Sequence, residues 1–122
     1  MSTNTHKTIV ITGANRGIGY AMANICQQRR DTVYALCRQS SIDLDALGVN
    51  VVEKIDVATQ GGIDKAVSEL SGVTIDLLIN NAGILRNEQL SNLNQETIIE
   101  QFNVNAVAPL FLSQALLANL SS

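Results

Sequence analysis

The sequence predicts an α/β fold built on a doubly wound parallel sheet. Three observations lead there. Short runs of β-branched and aliphatic residues alternate along the chain with stretches whose apolar residues recur at helical spacing. Strands separated in this way by helices pair in parallel, through right-handed crossovers. A glycine-rich turn joins the first strand-like run directly to the first helical stretch.

The elements follow in order. Lys7 to Thr12 (KTIVIT) is rich in β-branched residues and bounded by Gly13, and reads as a buried strand. Ile18, Ala21, Met22, Ile25 and Cys26 fall at i, i+3, i+4, i+7 and i+8, the expected apolar face of a helix. Arg29-Arg30, the only basic doublet, reads as its solvated end. Thr32 to Cys37 is the second strand, Ser41 to Leu47 a short helix or turn, and Val49 to Ile55 holds the third strand, with its end expected at Glu53. Ile63, Ala66, Val67 and Leu70 repeat the helical spacing. Ile75 to Asn80 (IDLLIN) is the fourth strand, apolar enough to be expected buried on both faces. After a loop from Asn81 to Leu93, Asn94 is placed to cap a last helix with Glu96 in its first turn. That helix is expected to run to Asn119 and to bend at Pro109. From Val104 to Leu120 it is apolar almost all round, so it needs cover on both sides.

Composition narrows the function. The chain has 122 residues, a single domain's length. Hydrophobic residues make up 46%, enough for a core, and aromatics only 3% with no Trp, which disfavours base-stacking platforms. A net charge of -3 argues against a nucleic-acid partner, whose binders carry a basic face. The lone His6 lies in a polar start, Met1 to His6, expected to fray, so a Ser/His/Asp triad and a His-rich metal site are both disfavoured. Cys26 and Cys37 form no CxxC pair and read as reduced packing residues. No secretory signal and no membrane-length apolar run is present, so the expected location is cytoplasmic.

The turn after the first strand is Thr12-Gly13-Ala14-Asn15-Arg16-Gly17-Ile18-Gly19, and it opens directly into a helix. Gly13 permits the tight turn, Gly17 lets a pyrophosphate approach the backbone, and Gly19 allows the helix to pack closely on the sheet. No Lys-Ser/Thr pair follows the last glycine, so this is not a Walker A loop. Further on stand Asp56-Val57 after the third strand, Asn80-Asn81-Ala82-Gly83 closing the fourth, and Phe102-Asn103-Val104-Asn105-Ala106-Val107-Ala108-Pro109 in the last helix.

These four marks, in this order and on these elements, resemble the short-chain dehydrogenase/reductase family from end to end. The stretch Ile75 to Leu85 is similar to its carbonyl-reductase-like and C-factor-like members. The resemblance implies an NAD(P)-binding Rossmann fold over residues 1–122, with the four strands in spatial order 3-2-1-4. It implies that Gly13, Asn15, Arg16, Gly17, Ile18 and Gly19 line the pyrophosphate and the adenosine ribose. Asp56 would bind the adenine amine and Val57 would offer backbone, although Asp56 also reads as a helix cap. Asn81, Ala82 and Gly83 would lie under the nicotinamide-side ribose. Asn105 would be the helix-borne catalytic Asn that holds a water in the family's proton relay. A structural Asn bridging backbone is the plainer alternative, and Asn103 competes for the role.

Cofactor choice turns on the end of the second strand. An acid there would bind a ribose 2′-hydroxyl and repel a 2′-phosphate. The strand instead ends Ala35-Leu36-Cys37-Arg38, and Arg38 with Arg16 could meet a 2′-phosphate. The expected cofactor is therefore NADP(H), with solvated surface arginines as the alternative.

The resemblance places the family's catalytic Ser, Tyr and Lys beyond the last helix of this chain. Tyr20 and Tyr34 are not followed four residues on by Lys. The 122 residues are thus expected to be the cofactor-binding part of a hydride-transferring oxidoreductase acting on a carbonyl or alcohol, incomplete at the C-terminus and inactive alone. A non-catalytic nucleotide-binding module and a subunit completed by a second polypeptide share every visible residue with this reading. A receiver-type signalling domain is excluded, because Thr12-Gly13 stands where its acidic pair should be. With the fourth strand's outer edge and the last helix uncovered, a homo-oligomer through the 95–119 helix is expected.

Overall fold

The computed structural model describes residues 6–84, 86 and 89–121. The fraying expected of Met1 to Thr5, and Leu85 at the end of the Ile75 to Leu85 stretch, lie outside the described residues. The elements are β1 (Thr8–Thr12), α1 (Gly17–Gln28), β2 (Thr32–Leu36), α2 (Ile42–Ala46), β3 (Asn50–Val52), α3 (Gln60–Glu69), β4 (Leu77–Ile79), α4 (Gln95–Phe102) and α5 (Ala108–Ala115). The sheet is parallel in the order β3-β2-β1-β4, as expected. β1 is central: Val10 sits opposite Tyr34 on one side and Leu78 on the other.

Alternation along β1 divides the core in two. Val10 points to the face covered by α3 and α5, where it joins Ile63, Ala66, Leu70, Ala108, Leu112 and Leu116. Ile9 and Ile11 point to the face covered by α1 and α2, with Ala23, Cys26 and Leu44. The start of β1 is fixed by acids from both sides. Asp31 Oδ1 accepts from the Lys7 amide at 2.9 Å, and Asp76 Oδ2 accepts from the Thr8 amide at 2.8 Å.

Several boundaries and faces differ from the sequence pattern. α1 seats Gly19, Ala23 and Cys26 on the sheet, whereas Ile18 and Ile25 of the expected face are 74% and 55% exposed. The reason is Gly19. A Cβ there would collide with the Gly13 carbonyl, so this side of the helix lies closest to the sheet and turns its small residues inward. β3 ends at Val52, one residue before the expected end at Glu53, and Lys54 then takes a left-handed backbone conformation with φ +61°. β4 is not buried on both faces: Leu77 is 49% exposed, and β1 is the only named strand that pairs with it. A parallel bridge from Ile75 to Leu120 lays the backbone after α5 along the beginning of that edge.

The last helix changes its winding along its length. Asn94 caps α4 as expected, accepting from the Glu96 and Thr97 amides at 2.9 and 3.2 Å. A π-helical segment then spans Asn103–Val107 and leads into α5, with Pro109 in its first turn, and a 3₁₀ turn over Leu117–Asn119 ends the helical stretch. Pro109 therefore sits where a missing N–H is tolerated, and the disturbance expected there takes the form of a wide π-helical turn before it. Phe102, Leu110, Phe111 and Leu117 remain exposed along this stretch.

The ends of β1 and β4 are joined by one buried side chain. Thr12 Oγ1 accepts from the Asn81 amide at 3.0 Å and the Ala82 amide at 2.9 Å. Asn81 Nδ2 returns a bond to the Gly13 carbonyl at 3.1 Å. Thr12→Val keeps the shape and removes the acceptor, leaving the Ala82 amide without its partner and the Asn81 amide with only the Ile79 carbonyl, at 3.1 Å. It is expected to cost about 1–3 kcal/mol, the penalty for unsatisfied buried donors, read as a lower urea midpoint at unchanged slope. An unchanged midpoint would show that the hydroxyl is not holding the two turns together.

Candidate functional site

The C-terminal ends of the parallel strands meet in an open cleft of about 1100 Å³. Its floor is the turn between β1 and α1. Gly13 and Gly17 have φ +63° and +59°, a backbone that side-chain-bearing residues rarely adopt. The Gly13 amide is held by the Leu36 carbonyl of β2 at 2.9 Å. Arg16 occupies the cap position of α1 in extended conformation and makes no side-chain cap bond, and no acidic residue stands in the first turn. The first amides of α1 thus lack a capping acceptor, and the helix presents its positive end to the cleft. A Cβ on Gly17 would meet nothing within 4 Å, so the backbone here is open to a ligand.

The expected residues fall into two groups. Gly13, Asn15, Arg16, Gly17, Arg38, Asp56, Val57, Asn81, Ala82 and Gly83 are all brought to the walls of this one cleft. Ile18 and Gly19 are not: Ile18 points to solvent, and Gly19 is buried beneath the loop, where it sets how closely α1 approaches. Asp56 is not the cap of α3. Thr59 caps that helix, its Oγ1 accepting from the Gly62 amide at 3.0 Å. Asp56 Oδ1 instead accepts from the Ala58 amide at 3.0 Å, which fixes the turn that forms this wall.

Asn105 is engaged structurally. Its Oδ1 accepts from the Ile84 amide at 2.8 Å, and its Nδ2 donates to the Ile84 carbonyl at 2.7 Å. The side chain thereby ties the π-helical segment to the loop after β4, and Gly83 leaves it room, since a Cβ there would lie 3.0 Å from Asn105 Oδ1. Asn103, the competing residue, lines the cleft.

Charge at the rim is uneven. Arg16 and Arg38 are exposed on the cleft and form no ion pair with a described residue. The neighbouring acids are engaged elsewhere. Glu53 Oε2 accepts from the Ser40 amide at 3.0 Å, and Asp45 Oδ1 accepts from the Ser40 hydroxyl at 2.6 Å. Burial pushes the Cys37 thiol up from its ordinary range, and the Glu53 and Asp45 carboxylates add to this. Burial and then Asp31 raise Cys26 in the same direction, with Arg29 working against them. Both thiols stay protonated and unreactive at neutral pH.

Some functional residues escaped the sequence reading. Thr12 looked like one more β-branched strand residue, and nothing local marks its hydroxyl as an acceptor for residues 69 and 70 positions away. Gly62 packs against Asp56 so closely that a Cβ would collide with its carbonyl, yet a Gly-Gly pair at a helix start carries no such message. Arg86 on the far wall pairs with Glu100, Nη2 to Oε1 at 3.0 Å, and its amide donates to Gln101 Oε1 at 3.0 Å. This exposed pair adds little stability, but it pins the loop after β4 to α4.

The site therefore offers a helix N-terminus, a polar floor and two arginines, Arg16 and Arg38, without ion pairs among the described residues, along one strand-end crevice. A helix N-terminus opening onto a strand-end crevice suits a phosphate-bearing ligand. Comparison with known proteins agrees. A family model described as short chain dehydrogenase matches residues 7–122. A 1-hydroxy-2-glutathionyl-2-methyl-3-butene dehydrogenase from Rhodococcus sp. (strain AD45) is 29% identical over 105 residues, 84% of this chain and 46% of that protein. The NADPH-bound carbonyl reductase from chicken fatty liver superposes with a TM-score of 0.78 at 30% identity, over 92% of this chain and 50% of its own. A 4-hydroxyisoleucine dehydrogenase complexed with NADH gives a TM-score of 0.79 at 30% identity, over 93% and 49%. The chain spans about half the length of the relatives it matches. With that model matched over nearly the whole chain and the glycine loop, strand order and strand-end cleft all in place, the chain belongs to the short-chain dehydrogenase family of oxidoreductases.

Proposed function

We propose that this chain is the NADP(H)-binding part of an oxidoreductase that moves a hydride between nicotinamide and a carbonyl or alcohol substrate. The observation that carries the cofactor choice is the rim beside β2, where Arg38 and Arg16 lack ion pairs with described residues and no acid ends the strand. Similar structures carry either NADPH or NADH, so the arginines decide rather than the resemblance.

When bound, the cofactor supplies or accepts the hydride. The chain's own residues bind and orient. The first amides of α1 and the Gly13–Gly17 backbone hold the pyrophosphate. Arg38, with Arg16, takes the ribose 2′-phosphate through charge-assisted bonds. Asp56 and Val57 frame the adenine, and Asn81, Ala82 and Gly83 carry the other ribose. Asn105 is assigned the family's water-holding role through its main-chain carbonyl. Its side chain is already used on Ile84, and Pro109, four residues on, has no N–H to give that carbonyl.

Proton transfer is a different matter. Reduction leaves an alkoxide that needs a positioned acid within hydrogen-bond reach. Tyr34 lies within β2 and Tyr20 within α1, and neither has a Lys four residues on. The 122 residues by themselves should hold cofactor and not turn over substrate. The exposed Phe102, Leu110, Phe111 and Leu117 support self-association through the 95–119 stretch. The two free, buried cysteines fit a cytoplasmic setting. Among the described residues no helix is long and apolar enough to cross a membrane.

Arg38→Ala is expected to weaken NADPH by about 1.5–3 kcal/mol, the range for hydrogen bonds to charged groups, while NADH affinity barely moves in the same fluorescence titration. Equal losses for both cofactors would defeat the NADP(H) assignment. Consumption of NADPH against a panel of aldehydes and ketones is expected to stay at the background rate, since a positioned acid alone contributes about 10²–10⁴-fold. The control is Gly17→Val, which strains the left-handed turn and fills the space before α1. Turnover that the control abolishes would place the chemistry in these residues after all.

A further inference from the structure

We propose that Glu53 is a positioning residue for cofactor choice: its carboxylate fixes the main chain of the Arg38–Ser41 loop so that Arg38 is presented to the ribose 2′-phosphate. This rests on the NADP(H) reading above and extends it to a residue outside the cleft.

β3 stops at Val52, and Lys54 takes φ +61°, a conformation that costs a side-chain-bearing residue energy. That turn redirects two amides onto the end of β2. Lys54 N donates to the Arg38 carbonyl and Ile55 N to the Cys37 carbonyl, both at 3.0 Å. It also aims Glu53 across the gap, where Oε2 accepts from the Ser40 amide at 3.0 Å. Glu53 is steadied from behind, because Lys65 Nζ of α3 donates to its main-chain carbonyl at 2.6 Å. On the far side of the loop, Asp45 accepts from the Ser40 hydroxyl and the Ser41 hydroxyl caps α2.

Arg38 is thus a cation on a fixed stem. Its main chain is gripped by the segment after β3, while its exposed side chain has no ion pair with a described residue. A loop ordered before the ligand arrives does not have to be ordered by it, which favours binding. A second effect opposes this one. Glu53 is an acid near the place proposed for a phosphate, and on charge alone it would favour NADH. The two effects have opposite signs, so substitution separates them.

The test is a titration of the 122-residue chain with NADPH and with NADH, using E53A and E53Q in the wild-type and R38A backgrounds. Glu53 is exposed, so neither variant opens a core. E53A is expected to weaken NADPH about 3–10-fold, the worth of one hydrogen bond, and NADH less than about twofold. E53Q keeps an acceptor for the Ser40 amide and should hold NADPH at or above wild-type affinity. On R38A, E53A should cause no further loss. Exchange of the Ser40 amide should quicken in E53A and not in E53Q. Tighter NADPH binding by E53A would show that charge alone matters and overturn the proposal. So would parallel losses for both cofactors. R38A that weakens NADPH while E53A is silent would overturn the positioning role only. R38A without effect on NADPH would remove the NADP(H) reading and this inference together.

Discussion

The hydroxyl of Thr12 accepts two amides from the turn after β4, and the rest of the site depends on it. Parallel strands bring their C-terminal ends to one edge of the sheet, but pairing alone does not set how the turns beyond them lie. Thr12 joins the turn after β1 to the turn after β4, and Asn81 completes the link through the Gly13 carbonyl. Gly19 then lets α1 settle against that same carbonyl. One small buried network therefore fixes the glycine loop, the start of α1 and the Asn81–Gly83 wall relative to one another. Unmade bonds in such a network are costly, which keeps the arrangement rigid before any ligand binds.

The electrostatics are local rather than global. A chain with net charge -3 is a poor general attractor of anions. The cleft nevertheless offers the uncapped end of α1 and two arginines without ion pairs among the described residues. The carboxylates of Glu53 and Asp45 are spent on the Ser40 amide and hydroxyl, and neither forms an ion pair with the Arg38 guanidinium. The same region shows why the second wall is sound: Thr59 caps α3, Gly62 packs onto Asp56, and Asp56 holds its own turn.

Much of this was legible in the sequence, for identifiable reasons. Strand-helix alternation and the turn Gly13 to Gly19 are local signals of the fold class, while the strand order and most of the ten expected residues on the cleft walls came from the family resemblance that four short motifs carry. What was not legible depends on tertiary fit. The apolar spacing from Ile18 to Cys26 marked a helix correctly, but it could not show that Gly19 would rotate Ile18 and Ile25 outward. The IDLLIN run resembled a fully buried strand because periodicity says nothing about which strand ends at an edge. Pro109 signalled a disturbance but not its form, a π-helical turn. Asn105 reads from the sequence either as a water-holding residue or as a structural bridge to backbone, and its side chain makes the bridge, to Ile84. Thr12, Gly62 and the Arg86–Glu100 pair act across distances in sequence that no local pattern encodes.

The central claim is that one strand-end cleft, walled by the turns after β1, β2, β3 and β4, holds a single dinucleotide. Its most direct measurement is the NMR amide spectrum of the isotope-labelled chain during titration with NADPH. The account predicts that the amides of Gly13, Gly17, Arg38, Val57, Asn81 and Gly83 shift together along one saturable curve, with those of the exposed 110–117 face unmoved. Shifts confined to that apolar face, or a glycine loop whose amides stay still while others saturate, would contradict it.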